Sequence, residues 1–218
     1  MDKVTAIKRT AEYVKKTLEG DSSGHDWWHV YRVWKMAKHI ASQENGADPF
    51  VVELGALLHD IGDYKLHNGD YNLGPRVARE WLESLRVKEQ VIAEVCDIIQ
   101  HISFKGAKVR ETMSSLEGKI VQDADRLDAL GAIGIARTFA YGGSKHREIY
   151  NPNKRPTLHT SFEAYKTDDG HTINHFYEKL LLLKDRMNTR TGRKMATSRH
   201  KYMEQFLARF YKEWEGII

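Results

Sequence analysis

The chain is short of the features that would hold or anchor it from outside a core. Its one cysteine, Cys96, has no second cysteine to pair with, which points to a reducing compartment. Four prolines in 218 residues leave few enforced breaks. No apolar run approaches the roughly 18 residues that a membrane span needs, and no basic-then-apolar leader opens the sequence. These absences are expected of a soluble, cytoplasmic protein with no membrane partner. Charge of one sign is scarce as well. Lys and Arg outnumber Asp and Glu only by 34 to 30, scattered through the chain. A mildly positive surface suits phosphate-bearing ligands, but so small an excess is also what a solvated surface carries, and nucleic acid is not an expected partner.

Alternating strand patterns and internal repeats are missing too. What remains is helical periodicity almost everywhere. Val4, Ile7, Ala11, Val14 and Leu18 step by three and four, and Gly20 stops the pattern. Val33, Ala37 and Ile40 continue it before Asn45-Gly46. From Val51 to Leu58 the chain is apolar on every side except at Glu53, as in a helix buried all round. Val91, Val95, Ile98 and Ile102 mark another helix, and Leu116 to Tyr141 reads as one long helix rich in Ala and Gly. Met203, Leu207, Phe210 and Trp214 mark the last. The expected class is all-α, with residues 1–218 in a single domain. One stretch resists, from Gly142 to Gly170, which holds Lys145, His146, Arg147, Lys154, Arg155 and His159. A segment this long without pattern is expected to be a lid or insert over a site, or else a solvated loop.

Two His-Asp dipeptides carry the chemical question: His25-Asp26 in HDWWH and His59-Asp60 in LLHDIGD. The second sits at the end of the buried helix, where an unpaired carboxylate is costly, and metal coordination is one way to satisfy it. Helix neighbours diverge by about 100°, so the pair can share an ion only with ligands from elsewhere. His29 lies on the inward stripe four residues before Val33. Asp26 is placed as the N-cap of that helix, worth roughly 1 kcal/mol. The first dipeptide therefore has a local explanation, with His25 at most a pocket residue. In VQDADRLDALGAIGIAR, Asp125 shares a face with Val121, Ala129 and Ala132 and is expected inside. Asp123 and Asp128 are expected at the surface. His101 is expected in a pocket beside Ile98, and Trp27, Trp28 and Trp34 in the core.

Taken in order, His29, His59-Asp60 and Asp125 spell H…HD…D, within the words DWWHVYRV, LLHDIGD and DADRLDALGA. This resembles the HD-domain metal-dependent phosphohydrolase superfamily, and more closely the small bacterial single-domain members, some of which are nucleotide pyrophosphohydrolases. The similarity extends into INHFYEKLL at 173–181. It implies an HD-type helical bundle with His29, His59, Asp60 and Asp125 as ligands of a divalent ion. Two imidazoles and two carboxylates suit Mn²⁺ first, with Mg²⁺, Fe²⁺, Co²⁺ or Ni²⁺ as alternatives; structural zinc is not expected without cysteine ligands. The resemblance also implies Asp63, three residues after Asp60, as the acid that orients water. Lys65, His101, Lys105, Arg126, Arg137 and His175 are the candidates for holding a phosphorylated substrate.

The expected reaction is hydrolysis of a nucleotide, (d)NTP to (d)NMP and pyrophosphate. The alternatives are a phosphomonoesterase acting on nucleoside monophosphates and a non-catalytic module that senses a nucleotide or metal. A homodimer is an allowed assembly. Two departures narrow the field. Asp63-Tyr64 stands where the guanosine tetraphosphate hydrolases carry two acids, and no Gly-Tyr-Pro word of the cyclic-dinucleotide phosphodiesterases occurs.

Overall fold

The structure, a computed structural model, describes residues 1–20, 26–62, 72–104, 112–158 and 170–218. The described residues form helices and no strand, so the class is all-α. No helix among them is long and apolar enough to cross a membrane. They divide into two compact units, one running up to Asp125 and the other from Arg126 to Ile218.

In the first unit the helices are α1 (Lys3–Thr17), α2 (Trp27–Ala41), α3 (Pro49–Leu58), α4 (Leu73–Ser84), α5 (Glu89–His101) and the greater part of α6 (Leu116–Asp128). Asp2, Asp26 and Asp48 cap α1, α2 and α3, each side chain accepting a backbone N–H that the helix cannot satisfy itself. The centre is α3. Every residue from Phe50 to Leu58 is buried except Glu53, and α1, α2 and α5 pack around it. A Cβ on Gly55 would stand 3.2 Å from Ile98 and 3.4 Å from Val121, so α3 lies close against α5 and α6. Trp81 of α4 stacks on Tyr13 at 4.0 Å and donates its Nε1–H to Thr10. Gln122 of α6 donates to the Ile102 carbonyl at 3.2 Å, which ties α6 to the end of α5.

The inward face of α1 differs from the expected stripe. Ala6, Thr10 and Val14 are buried, while Val4 is 76 % exposed and Ile7 and Ala11 are half-buried. A hydroxyl takes the core position because it meets a partner: Thr10 accepts from Trp81 and donates to the Ala6 carbonyl. The three tryptophans of α2 are also outside the core, with Trp28 58 % exposed.

The second unit begins with the last turn of α6 and continues as α7 (Gly131–Ser144), α8 (Asn174–Glu178), a 3-10 segment (Leu180–Arg186) and α9 (Arg190–Trp214). The long helix expected over 116–141 is therefore two. Gly131 breaks it with φ at +74°, a left-handed conformation that favours glycine. Arg199 of α9 donates to the Leu127 carbonyl beside that break. Phe139, Phe176 and Phe206 form the aromatic core of this unit, with ring centroids 5.8–6.1 Å apart. Residues 142–144 of the patternless stretch complete α7, and the following segment is anchored. The Lys154 carbonyl accepts from His171 at 3.1 Å and Asn174 at 3.3 Å, and Thr157 N–H donates to Glu178 at 2.9 Å. Residues 159–169, which include His159, lie outside the described residues.

Candidate metal centre

The centre is assembled by helix ends. Asp26 accepts the His29 backbone N–H at 2.9 Å, which fixes the first turn of α2. His29 then falls on the same buried face as Val33, Ala37 and Ile40. His59 closes α3 as its C-cap and is buried as well. Its Nδ1–H donates to the Ala56 carbonyl at 2.8 Å, because a carbonyl can only accept. Fixing Nδ1 in this way leaves Nε2 as the working atom. Asp60 follows in the turn, and Asp125 comes from α6, a third of its side chain exposed.

Four donors converge. His29 Nε2 lies 3.1 Å from His59 Nε2, 3.2 Å from Asp60 Oδ2 and 3.5 Å from Asp125 Oδ1. His59 Nε2 lies 3.4 Å from Asp60 Oδ2 and 3.9 Å from Asp125 Oδ1. Ligands about 2.1 Å from one ion stand about 3.0 Å apart at right angles and about 3.4 Å apart in a tetrahedron. The spacing matches donors around a common cation. Asp60 Oδ2 is buried and meets only the two imidazole Nε2 atoms that face it. A buried carboxylate oxygen needs positive charge beside it, which a cation among these atoms or a proton on an imidazole would supply. The residues present therefore fit a divalent ion, and His29, His59 and Asp125 form a group that could hold one.

Charge in the cluster is mutually sustained. Burial opposes charge on His59, yet the carboxylates of Asp60 and then Asp125 hold its pKa up to about 9. Burial likewise pushes the Asp60 carboxyl up, and the charges of His59 and His29 overcome it, leaving that pKa well below the usual carboxylate range. A proton on His59 Nε2 thus stands where a metal would stand.

A family model, HD domain, matches residues 27–130, a span that contains all four donors. The YpgQ protein of Bacillus subtilis is 38 % identical over the whole of this chain and 98 % of its own length. The chain belongs to the HD domain family. The crystal structure of an HD-superfamily hydrolase from Bacillus thuringiensis is 46 % identical, covering 98 % of this chain and 99 % of that one, with a TM-score of 0.75. The crystal structure of a protein from Lactobacillus plantarum is 36 % identical over 99 % of this chain and the whole of the other, with a TM-score of 0.87. Bacillus subtilis YpgQ in complex with ADP has a TM-score of 0.78 over 98 % of this HD chain and 97 % of its own.

The other candidates separate. Asp63, Lys65 and Lys105 lie outside the described residues. His101 ends α5 with Nδ1 on the Asp97 carbonyl at 2.9 Å and 3.1 Å from Asp97 Oδ1, its side chain about one-third exposed. The spacing of four between Asp97 and His101 was available in the sequence and marks Asp97 as its orienting partner. Arg126, Arg137 and His175 belong to the second unit. Arg126 is buried and donates to the Arg186 carbonyl, and Arg137 pairs with Asp128 at 3.0 Å. Asp123 and Asp128 are both buried, contrary to the surface positions expected of them. Asp128 is inside because Arg137, nine residues on, meets its charge. The Ala56 carbonyl was not recognised from sequence, since any residue at that position would supply it.

Proposed function

We propose that this HD protein is a metal-dependent phosphohydrolase acting on a nucleotide, converting a (d)NTP to the (d)NMP and pyrophosphate. The observation that carries the reading is the convergence of His29, His59, Asp60 and Asp125, with Asp60 Oδ2 buried between the two imidazoles. YpgQ with ADP supports a nucleotide as the ligand class. Two imidazoles and two carboxylates favour Mn²⁺ among divalent ions, with Mg²⁺, Fe²⁺, Co²⁺ or Ni²⁺ as alternatives.

When bound, the ion supplies Lewis acidity toward a phosphoryl oxygen and acidifies water. The chain contributes the rest. Ala56 orients His59, Asp26 sets His29 at the start of α2, and the carboxylates of Asp60 and Asp125 supply negative charge. Asp63 takes the proton from the attacking water in this proposal. Lys65 is its phosphate-side cation, and His101, already oriented by Asp97, is a pocket donor.

The test is a nucleotide panel with each divalent ion, scoring pyrophosphate against orthophosphate. Pyrophosphate with nucleoside monophosphate is the expected product. Orthophosphate alone identifies a phosphomonoesterase instead. Tight nucleotide binding without turnover under any of these ions identifies a sensing module.

A further inference from the structure

Trp28 is the most exposed of the three tryptophans of α2, 58 % open to solvent, and it is the residue before the metal-centre histidine His29. Tryptophan is on average a highly buried side chain, so an indole left open beside a chemical site calls for an occupant. Its place on the helix says which way it looks. Successive residues turn by about 100°. The buried residues of α2 are His29, Val30, Val33, Ala37 and Ile40, which together span about 100° of the helix. His29 is one edge of that stripe and Val30 the other. Trp27 and Trp34 fall beyond the Val30 edge and line a furrow against α1. Trp28 falls beyond the opposite edge, on the flank of His29.

The indole is also held in place. Asp26 fixes the first turn of α2 by accepting the His29 N–H at 2.9 Å. Tyr31 meets Trp28 edge to face, with ring centroids 6.0 Å apart and planes at 82°. Round the helix the order is His29, Trp28, Tyr31, so the tyrosine props the indole from the side away from His29. Helical side chains lean toward the N-terminus, which carries Trp28 and His29 toward the same open end of α2. On a helix about 10–12 Å across, side-chain tips 100° apart stand about 8 Å from each other. That is comparable to the reach from a nucleotide's base to its phosphates. A fixed aromatic plane at this distance from a centre that takes phosphates matches the flat part of the same ligand.

We propose that Trp28 is the stacking platform for the base of the nucleotide held at the metal centre. The proposal rests on the nucleotide reading and goes beyond it: Trp28 is what distinguishes a nucleotide from bare polyphosphate, and a purine from a smaller pyrimidine.

The probes are the α,β-imido analogues of dATP and dCTP, which resist cleavage at that bond, and inorganic tripolyphosphate, which has no base. Calorimetry with the full Mn²⁺-loaded chain should show the dATP analogue binding more tightly than the dCTP analogue. Trp28→Ala should raise the Kd of the dATP analogue roughly tenfold, within the usual loss for one stacked base, and narrow the purine preference. Its Kd for tripolyphosphate and its Mn²⁺ affinity should stay within twofold of the unmodified protein. Trp28→Phe, which keeps an aromatic face, should retain most of the binding, and Trp28→Leu, which keeps only apolar bulk, should behave as Trp28→Ala. Circular dichroism checks the fold of each variant. An unchanged Kd for the dATP analogue in Trp28→Ala overturns the proposal, and so does an equal loss for tripolyphosphate or full rescue by leucine. A change of oligomeric state in Trp28→Ala at unchanged nucleotide Kd also overturns it and makes this face a protein contact. Failure of both analogues to bind the unmodified, Mn²⁺-loaded protein overturns the nucleotide reading together with the platform, whereas the other outcomes overturn the platform alone.

Discussion

His29 and His59 hold their Nε2 atoms 3.1 Å apart, although thirty residues separate them. Two imidazoles meeting nitrogen to nitrogen can share one proton or one metal ion, since protons on both facing atoms would repel. Ala56 occupies the other ring nitrogen of His59, so its ring has no easier arrangement to adopt.

This arrangement predicts a proton-coupled metal site. Displacing the proton that Asp60 and Asp125 hold on His59 costs the ion affinity below about pH 9. Apparent affinity for Mn²⁺ should therefore rise by about tenfold per pH unit from pH 7 toward 9, with close to one proton released per ion. Calorimetry in two buffers of different ionisation enthalpy measures that proton directly. A pH-independent affinity would show that His59 is neutral before the metal arrives.

Stability without metal follows from the same pair. His59 binds its proton more tightly in the folded chain, at about 9 against an ordinary 6.5. Its contribution is complete below about pH 6.5 and is lost as pH rises through about 9. Asp60, whose pKa is lowered, contributes above the ordinary carboxylate range and loses its contribution as pH falls. The metal-free protein should thus show a falling Tm between about pH 6.5 and 9, and saturating Mn²⁺ should flatten that fall. Thermal melts across this range, with chelator and with Mn²⁺, supply the comparison.

Asp60→Ala removes the oxygen that faces both imidazoles. Metal stoichiometry and hydrolysis should be lost together, while the metal-free fold persists. Retained metal at full stoichiometry would remove Asp60 from the ligand set. Asp63→Asn should act differently, leaving metal bound while turnover falls by roughly 10²-fold or more, the usual worth of a general base. Equilibrium dialysis beside a pyrophosphate assay separates the two behaviours.

Parts of this were legible because local chemistry decided them. The Asp26 cap follows from a carboxylate just before a helical stripe, and its bond to the His29 N–H is the expected one. The all-round burial of α3 follows from an apolar run interrupted only by Glu53. The misreadings arose where a distant residue changed the outcome. Thr10 is buried in place of Val4 because Trp81, seventy-one residues on, supplies a hydrogen bond. Trp27 and Trp34 face a furrow because α1 leans on α3 rather than on α2. Asp128 is interior because of Arg137, and a spacing of nine is not a helix contact that pattern reading searches for.

Gly62 closes the turn that carries His59 and Asp60, and a Cβ there would stand 2.8 Å from the Gly74 backbone nitrogen. Backbone cannot rotate away as a side chain can. Gly62→Ala should therefore destabilise the fold by about 1–3 kcal/mol, the usual cost of overpacking, and weaken metal binding by displacing the turn. Denaturant unfolding of the metal-free protein and a Mn²⁺ titration measure the two effects. Unchanged stability would mean that the α4 start yields without penalty.

Arg137 was expected to hold phosphate, and the structure pairs it with the buried carboxylate of Asp128 at 3.0 Å. The two roles predict different losses. A phosphate contact removed by Arg137→Ala would raise KM and leave stability nearly unchanged. Removing one partner of a buried ion pair weakens the hold on the other charge, at a cost of up to about 3–5 kcal/mol, and Arg199 still bears on Asp128. Arg137→Ala should therefore lower stability by that order with little change in KM for whatever protein remains folded. The Arg137→Leu/Asp128→Leu double variant should recover part of the loss, because both charges of the pair are gone and only the Asp128 interaction with Arg199 is forfeited. Denaturant midpoints for the single and double variants complete the cycle, and a rise in KM at unchanged midpoint would return Arg137 to the substrate.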